Sequence, residues 1–518
     1  MFGDVSSWFY KSIAGIRPDE TYPGFKQFII RPEIVADLSW AKGKYESVYG
    51  TIISNWRIEG KMFIHEIEIP VNSTARYYIP FGSSLREIKE NGKTLRASGY
   101  KIYGTNRNRY IMLLPGTYQF SVPFGGKPAT DLKPGSTGNG YAKGTFGYDL
   151  NFLKQYHKDL VLLGDSAGAQ IIVLPAYQGR VMTSTAGGNN GISFGWVNHE
   201  LIASRKPELH INVFGGEERF WLGPKGGQFS IFFKEGVNFT FENWFVPKEL
   251  DTEPFTLVSL TKTQADFKKK MHLENFSGNK FDLAVNRSIH LLNSANIDSL
   301  LGISIPADVQ AVGFQSDNTV TNIGTKAWDK KSGMLSIWIL SMLNATEKTT
   351  VAVPYKQGDS LKLGKIVTDD YFGKVPSGRL KINNGFLLFK ADSKYRSKIG
   401  IAPSRALPFI ASYDAVNNVL SVAQFTLHEG NADYVNSLWK IQDKPFSGDA
   451  VNSYNDGPIN GKQLGQFYEL ESSSPAAALA PGQSIQHTHR TIHLKGNKES
   501  LDKVAMKLLG VGVDAIAL

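Results

Sequence analysis

Hydrophobic and polar positions alternate with a period of two along most of this chain. Between Tyr49 and Ile58, Met62 and Ile69, and Ala75 and Ile79, β-branched and aromatic residues alternate with polar ones, and Pro80-Phe81-Gly82 and Asn91-Gly92 mark turns. Such runs read as half-buried strands, and together they predict a small antiparallel β-sandwich of about 110 residues. Ahead of it, Val5 to Ala14 predicts one short helix, with Trp8, Phe9 and Ile13 spaced for a single apolar face. From Phe124 to Gly147 the periodicity vanishes into Gly, Pro, Ser and Thr, which reads as a linker.

Beyond the linker the pattern stays β. Val161–Leu163, Gln170–Leu174, Phe229–Phe233, Leu335–Leu340, Thr350–Val353, Gly385–Phe389, Leu420–Thr426 and Ile485–Leu494 read as strands, separated by Asn, Asp, Gly and Pro. Thr263 to Met271 and Glu499 to Leu508 are the best short helices. A twisted sheet rarely exceeds ~10 strands, so a β region this long requires two large sheets stacked face to face. The fold class is all-β. The expected parts are a short helix at 1–14, a β-sandwich at 15–123, a linker at 124–146 and a large sandwich at 147–518.

Composition narrows the function classes. The 518 residues are 42% hydrophobic and 20% charged, a folded and not a disordered composition. The longest apolar stretch, Met334 to Leu343, has about half the ~20 residues of a membrane span. No basic start followed by an apolar run is visible near Met1, so no secretory signal is expected. With no cysteine there is no disulfide, thiol nucleophile or cysteine-bound zinc. The net charge of +10 is spread thinly: residues 1–124 hold 16 Lys+Arg against 11 Asp+Glu, and the remainder 41 against 36. That distribution makes no nucleic-acid groove. Phosphate-loop and dinucleotide fingerprints are absent, and no cofactor is expected.

Two stretches resemble known families. Phe2-Gly3, Trp8 to Lys11, Ala14 to Ile16, Pro23 to Lys26, Ile29 to Pro32 and Tyr45 to Trp56 resemble the C-terminal end of bacterial α-L-rhamnosidases of glycoside hydrolase family 78. In that family this segment is the last helix of an (α/α)6 barrel followed by a β-sandwich. The resemblance begins after the barrel that holds the catalytic carboxylates, so it implies an accessory sandwich in a sugar-degrading context and no rhamnosidase activity. A truncated or fused gene product fits the same observation, and export to the periplasm or beyond fits the context.

From about 146 to 496 the chain resembles an uncharacterised bacterial family with a galactose-mutarotase-like supersandwich. Tyr177 to Thr185, Phe194 to His199, Phe214 to Pro224, Asn318 to Gly324 and Ser453 to Pro458 carry it. The end of the chain, Phe467 to Pro475, then Leu479 to Ser484 and a final strand, is similar to the closing pattern of aldose 1-epimerases, where a strand ending in Leu-Glu supplies the base. The stretch that carries that family's general acid has no match here.

Sugar epimerisation needs a base for the anomeric hydroxyl proton and an acid for the ring oxygen. Glu469 and Glu471 lie two apart on a strand, so both face one side, roughly 6.5–7 Å apart along the backbone. Like charges this close raise one pKa. The resemblance gives Glu471 the role of base, whereas Glu469 reads as an ordinary strand residue. His199, beside Trp196 and Asn198, is the expected acid, with a packed loop histidine as its plain alternative; His428 is a weaker second. Sugars stack on aromatics and bond to polar rims, which points to Trp196, Asn198, Arg219, Trp221, Asn455 and Asp456 as substrate contacts, with Trp244 a further aromatic. His487, His489 and His493 share a strand face, but without a fourth ligand they read as hydrogen-bonding residues, and no metal is expected. Gly164 to Gly168 matches the Gly-x-Ser-x-Gly of a nucleophile elbow, yet a strand-like run follows where a helix is required, so it reads as a tight turn.

The sequence therefore reads as a carbohydrate-active protein that binds a sugar or an oligosaccharide end and, as an enzyme, epimerises an aldose. A non-catalytic binding or accessory module is the alternative, and a glycosidase or lyase the second. The oligomeric state is left open.

Overall fold

The structure, a computed structural model, describes residues 9–19, 22–32, 38–60, 62–80, 88–95, 97–103, 109–123, 141–428, 430, 433–459, 461–516 and 518. The chain forms two compact units, Met1–Gly138 and Asn139–Leu518.

The first unit is a two-sheet sandwich. One sheet is five-stranded, in the order Ile16–Pro18, Gln27–Ile30, Thr74–Tyr78, Tyr110–Leu113, Ile102–Tyr103. The other is six-stranded and contains the ribbon Trp40–Ser47, Gly50–Glu59, Met62–Ile69, of which the sequence predicts the last two strands. Alternation along Met62–Ile69 is complete, with Phe63, His65, Ile67 and Ile69 buried. One pairing departs from the antiparallel expectation: Gln27–Ile30 runs parallel to Thr74–Tyr78. Of the predicted N-terminal helix, residues 5–8 lie outside the described residues, and Phe9–Ile13 forms one helical turn.

In the second unit, a ten-stranded sheet runs Thr256–Leu260, Gln264–Glu274, Lys280–Leu292, Gln310–Asn322, Ser484–Lys495, Val419–Phe425, Phe409–Asp414, Thr349–Pro354, Phe386–Lys390, Leu380–Ile382. A smaller sheet runs Arg219–Gly223, Ser336–Leu340, Phe467–Ser473, Val451–Asn455, Ser397–Ile401. The two pack through one apolar layer, in which Phe220, Leu222, Ile337 and Ile339 of the smaller sheet meet Phe267, Val285, Val312 and Phe314 of the larger. On the back of the larger sheet, the helix Lys498–Leu509 buries Leu501, Val504 and Ala505 against Leu420, Val422, Ile492 and Leu494. Asn497 caps that helix by accepting from the Ser500 N–H. Among the described residues no helix is long and apolar enough to cross a membrane.

Three local expectations are corrected. Thr263–Met271 is no helix but part of the strand Gln264–Glu274: Ala265, Phe267, Met271 and Leu273 are buried with a period of two, and Lys268, Lys269 and Lys270 disguise it. Phe229–Phe233 is an irregular segment pinned by aromatic contacts, Phe229 on Phe446 and Phe232 on Trp221. The end of the glycine-rich stretch is already helical, because Phe146, Leu150 and Leu153 of Phe146–Tyr156 share one buried face. The turn expected at Gly164–Gly168 forms, with Asp165 Oδ1 accepting from the Ala167 and Ala169 N–H groups.

Candidate functional site

The strand Phe467–Ser473 sits in the middle of the smaller sheet and divides its side chains by parity. Tyr468 and Ser472 turn inward: the Tyr468 hydroxyl bonds Ser412 Oγ at 2.7 Å, and Ser472 Oγ lies 2.8 Å from both His487 Nε2 and His489 Nδ1. Phe467, Glu469 and Glu471 therefore take the opposite face. Neighbouring strands contribute to that face by the same alternation: Arg219 and Trp221, Trp338, Tyr454 across from Glu469, Asn452 across from Glu471, and Lys398.

The two glutamates live in different surroundings. Glu471, 1% exposed, accepts from Lys398 Nζ at 2.9 and 2.7 Å and from Trp338 Nε1 at 2.9 Å. Lys398 Nζ also lies 5.0 Å from the Trp338 ring centroid. Glu469, 5% exposed, has among the described residues only the loose approach of Arg219 Nη2 at 3.6 Å. Burial, reinforced by the charge of Glu471, pushes the Glu469 carboxyl up to about 8. Glu471 thus stands in an ion pair, while burial and the charge of Glu471 favour the protonated form of Glu469.

Around the pair lies a floor of indoles and cations. The Arg219 guanidinium is 4.1 Å above the Trp221 ring, and Trp221 meets Trp338 edge-to-face at 5.7 Å. Lys225 Nζ lies 5.7 Å from the Trp338 ring; burial, with the charge of Lys398 next, lowers its pKa to about 8. Tyr371 donates to Asp449 and accepts from Asn452 Nδ2 at 3.1 Å; burial raises both Tyr371 and Asp449 from their usual values.

The other residues singled out in the sequence have different surroundings. His199 opens the helix His199–Ser204 and bonds Asp149 Oδ1 at 2.7 Å, with Tyr148 and Phe152 around its ring, rather than contacting either glutamate. Asn198 caps that helix through the Leu201 N–H. Asn455 accepts from the Ser393 N–H and donates to Tyr395 O, and Asp456 accepts from the Tyr454 hydroxyl and the Gly465 N–H. Trp244 stacks on Phe232 in the core. His428 lines a separate cleft of about 530 Å³ with Lys356, Ser404 and Phe446. His487, His489 and His493 are buried between the sheets, and no group of ligands able to hold a metal occurs among the described residues. His493 Nδ1 bonds Ser421 Oγ at 2.7 Å and its Nε2 lies 3.3 Å from Glu217.

Trp196 packs on Phe467 at 4.9 Å, at the Glu469 end of the same face. A Cβ on Gly465 would lie 2.1 Å from Trp196 Cζ2. Gly465→Ala is therefore expected to push the indole away and to cost about 1–3 kcal/mol, read by tryptophan fluorescence and the thermal midpoint.

Sequence reasoning missed Lys398, Lys225 and Trp338 and undervalued Glu469. The signal for Glu469 was its parity with Glu471; Lys398 is 73 residues from its partner and carries no local pattern.

An all-β chain with this sheet face can be set beside known proteins. Residues 144–518 match the family of unknown function DUF6786, and the chain belongs to that family. Residues 15–94 match the bacterial α-L-rhamnosidase C-terminal domain. The chain is 32% identical over 128 residues to an α-L-rhamnosidase of Formosa agariphila, which covers 24% of this chain and 13% of that protein. A similar enzyme of Streptomyces avermitilis is 30% identical over 96 residues, 18% of this chain and 9% of that protein. The chain thus spans only a small fraction of these curated relatives. Among solved structures, a galactose mutarotase-like protein from Lactobacillus casei aligns over 65% of this chain and 99% of its own, at 8% identity and a TM-score of 0.39.

Proposed function

We propose that this protein is carbohydrate-active, and that the face holding Glu469 and Glu471 binds a reducing sugar and interconverts its anomers. One observation carries the reading: two carboxyl groups on one strand face, one in an ion pair and the other raised to about 8, the separation of environments that assigns acid and base. Glu469 protonates the ring oxygen as Glu471 takes the proton of the anomeric hydroxyl. The C1–O5 bond breaks, an open-chain aldehyde forms, and rotation about C1–C2 followed by the reverse transfers closes the other anomer. Trp221 and Trp338 form the apolar floor beneath the two glutamates. The acid is thus Glu469 where the sequence suggested His199. The rhamnosidase-type sandwich supports a carbohydrate setting without supplying an active barrel.

A binding module is the second reading, favoured by the engagement of both Glu471 oxygens with Lys398. NMR exchange between the anomers of galactose, glucose and rhamnose decides between them. Acceleration by the wild type that is lost in Glu469→Gln and Glu471→Gln supports catalysis; ligand broadening without acceleration leaves the binding module.

A further inference from the structure

The cations on this face outnumber the partners available to them. Arg219 is 4% exposed, yet Nε and Nη1 are buried without a hydrogen bond, and Nη2 stays 3.6 Å from Glu469. Among the described residues this guanidinium makes no hydrogen bond, although it carries five donors. Trp221 Nε1, on the same floor, is also buried and unbonded. The Lys225 ammonium rests against Trp338 with no hydrogen bond or ion pair to a carboxylate among the described residues. Of the other cations, Lys398 is matched by Glu471, and Arg396 lies over the Phe372 ring, 4.2 Å from its centroid.

Nearby acids do not make up the difference. Asp251 accepts from the Asn212 N–H and Nδ2, and Asp449 is bound to Tyr371. Leaving the buried Arg219 guanidinium without a hydrogen bond is costly; sugar hydroxyls can accept from it, but a neutral ligand brings no countercharge for Arg219 and Lys225 together. An oxyanion does: guanidinium and ammonium groups hold carboxylate, sulfate and phosphate through charge-assisted hydrogen bonds.

We infer that the sugar taken by this site is an acidic one, whose anionic substituent is met by Arg219 and Lys225 across the Trp221–Trp338 floor. The inference rests on the reading of this face as a sugar site and names its substrate class. Carboxylate, sulfate and phosphate share the chemistry, and the experiment separates them.

The test is calorimetric titration with matched pairs: galactose against galacturonic acid, galactose against galactose 6-sulfate, and glucose against glucose 6-phosphate, at low and high salt, with anomer exchange followed by NMR. The acidic member of at least one pair is expected to bind about tenfold or more tightly than its neutral counterpart, with the advantage shrinking as salt rises. The pair with the largest ratio identifies the substituent. In Lys225→Met the ratio falls, and Lys225→Arg restores it; Lys225 is only partly buried, and a circular dichroism melt checks that both variants fold. Equal or weaker binding of every acidic sugar overturns the inference, as does a ratio unchanged in Lys225→Met or the failure of any sugar to bind. Anomer exchange on neutral sugars without an acidic preference removes this inference and leaves the proposed function. An acidic preference without exchange does the reverse, keeping the substrate class and removing the epimerase.

Discussion

Glu469→Gln is expected to slow anomer interconversion by about 10²–10⁴-fold, the usual contribution of a positioned general acid. Glutamine keeps the shape and the hydrogen-bonding reach of the side chain but has no proton to give to the ring oxygen. Glu471→Gln should fall by a similar factor for the opposite reason, since an amide does not accept the anomeric proton. The two roles separate in the pH profile. Because the Glu469 carboxyl is raised to about 8, the acid is loaded below that pH and the wild-type rate falls above it. Stopped-flow polarimetry from pH 5 to 9 reads this limb, and a rate that keeps rising through pH 9 would take the acid role from Glu469.

The same shift carries a stability consequence with a definite sign. A carboxyl raised on folding binds more protons in the native state than in the unfolded one between its ordinary value near 4.5 and about 8. Unfolding free energy therefore drops as pH climbs through that window. Glu469→Gln removes the cost, so its thermal midpoint should exceed that of the wild type at pH 8 and approach it at pH 5. A variant that is less active yet more stable at pH 8 matches a strained catalytic acid. One that is both inactive and unstable would mark Glu469 as a structural residue.

How far the site was legible follows from what alternation can carry. Phe467 to Ser473 announces a strand, and parity alone places Glu469 and Glu471 together. Arg219 and Trp221 are legible in the same way, two apart on Arg219–Gly223. Lys398 is not, because a lysine on a short strand reads as a solvated cation until a sheet puts that strand two places from Phe467–Ser473. The sandwich architecture needed only period-two runs and turn residues. Gln264–Glu274 escaped because three successive lysines sit where alternation should show, and the tertiary demand of the ten-stranded sheet overrode the local reading. His199 looked like an acid from its neighbours, whereas its position is set by Asp149, 50 residues away.

Breaking the ion pair beneath the site should have the largest effect on stability. Glu218 turns inward where Arg219 turns outward, and its Oε1 accepts from Arg287 Nη2 at 2.5 Å with both side chains fully buried. Arg287 also donates to Asn318 Oδ1 at 2.6 Å and Gly179 O at 3.2 Å, tying the lead-in to Arg219–Gly223 to two strands of the ten-stranded sheet. Burial raises the Glu218 carboxyl despite its partner. Arg287→Met leaves that carboxyl without its cation, and the expected loss is about 3–5 kcal/mol, read from the denaturant midpoint of the second unit's transition. Glu218→Gln/Arg287→Met should recover part of the loss, because an amide is cheaper to bury than an unpaired carboxylate. A double variant no more stable than Arg287→Met would locate the cost in the bonds to Asn318 and Gly179 instead. Since Arg219 follows Glu218 directly in the chain, a loosened lead-in should also weaken ligand binding in Arg287→Met, although Arg287 lies on the inner side of the sheet.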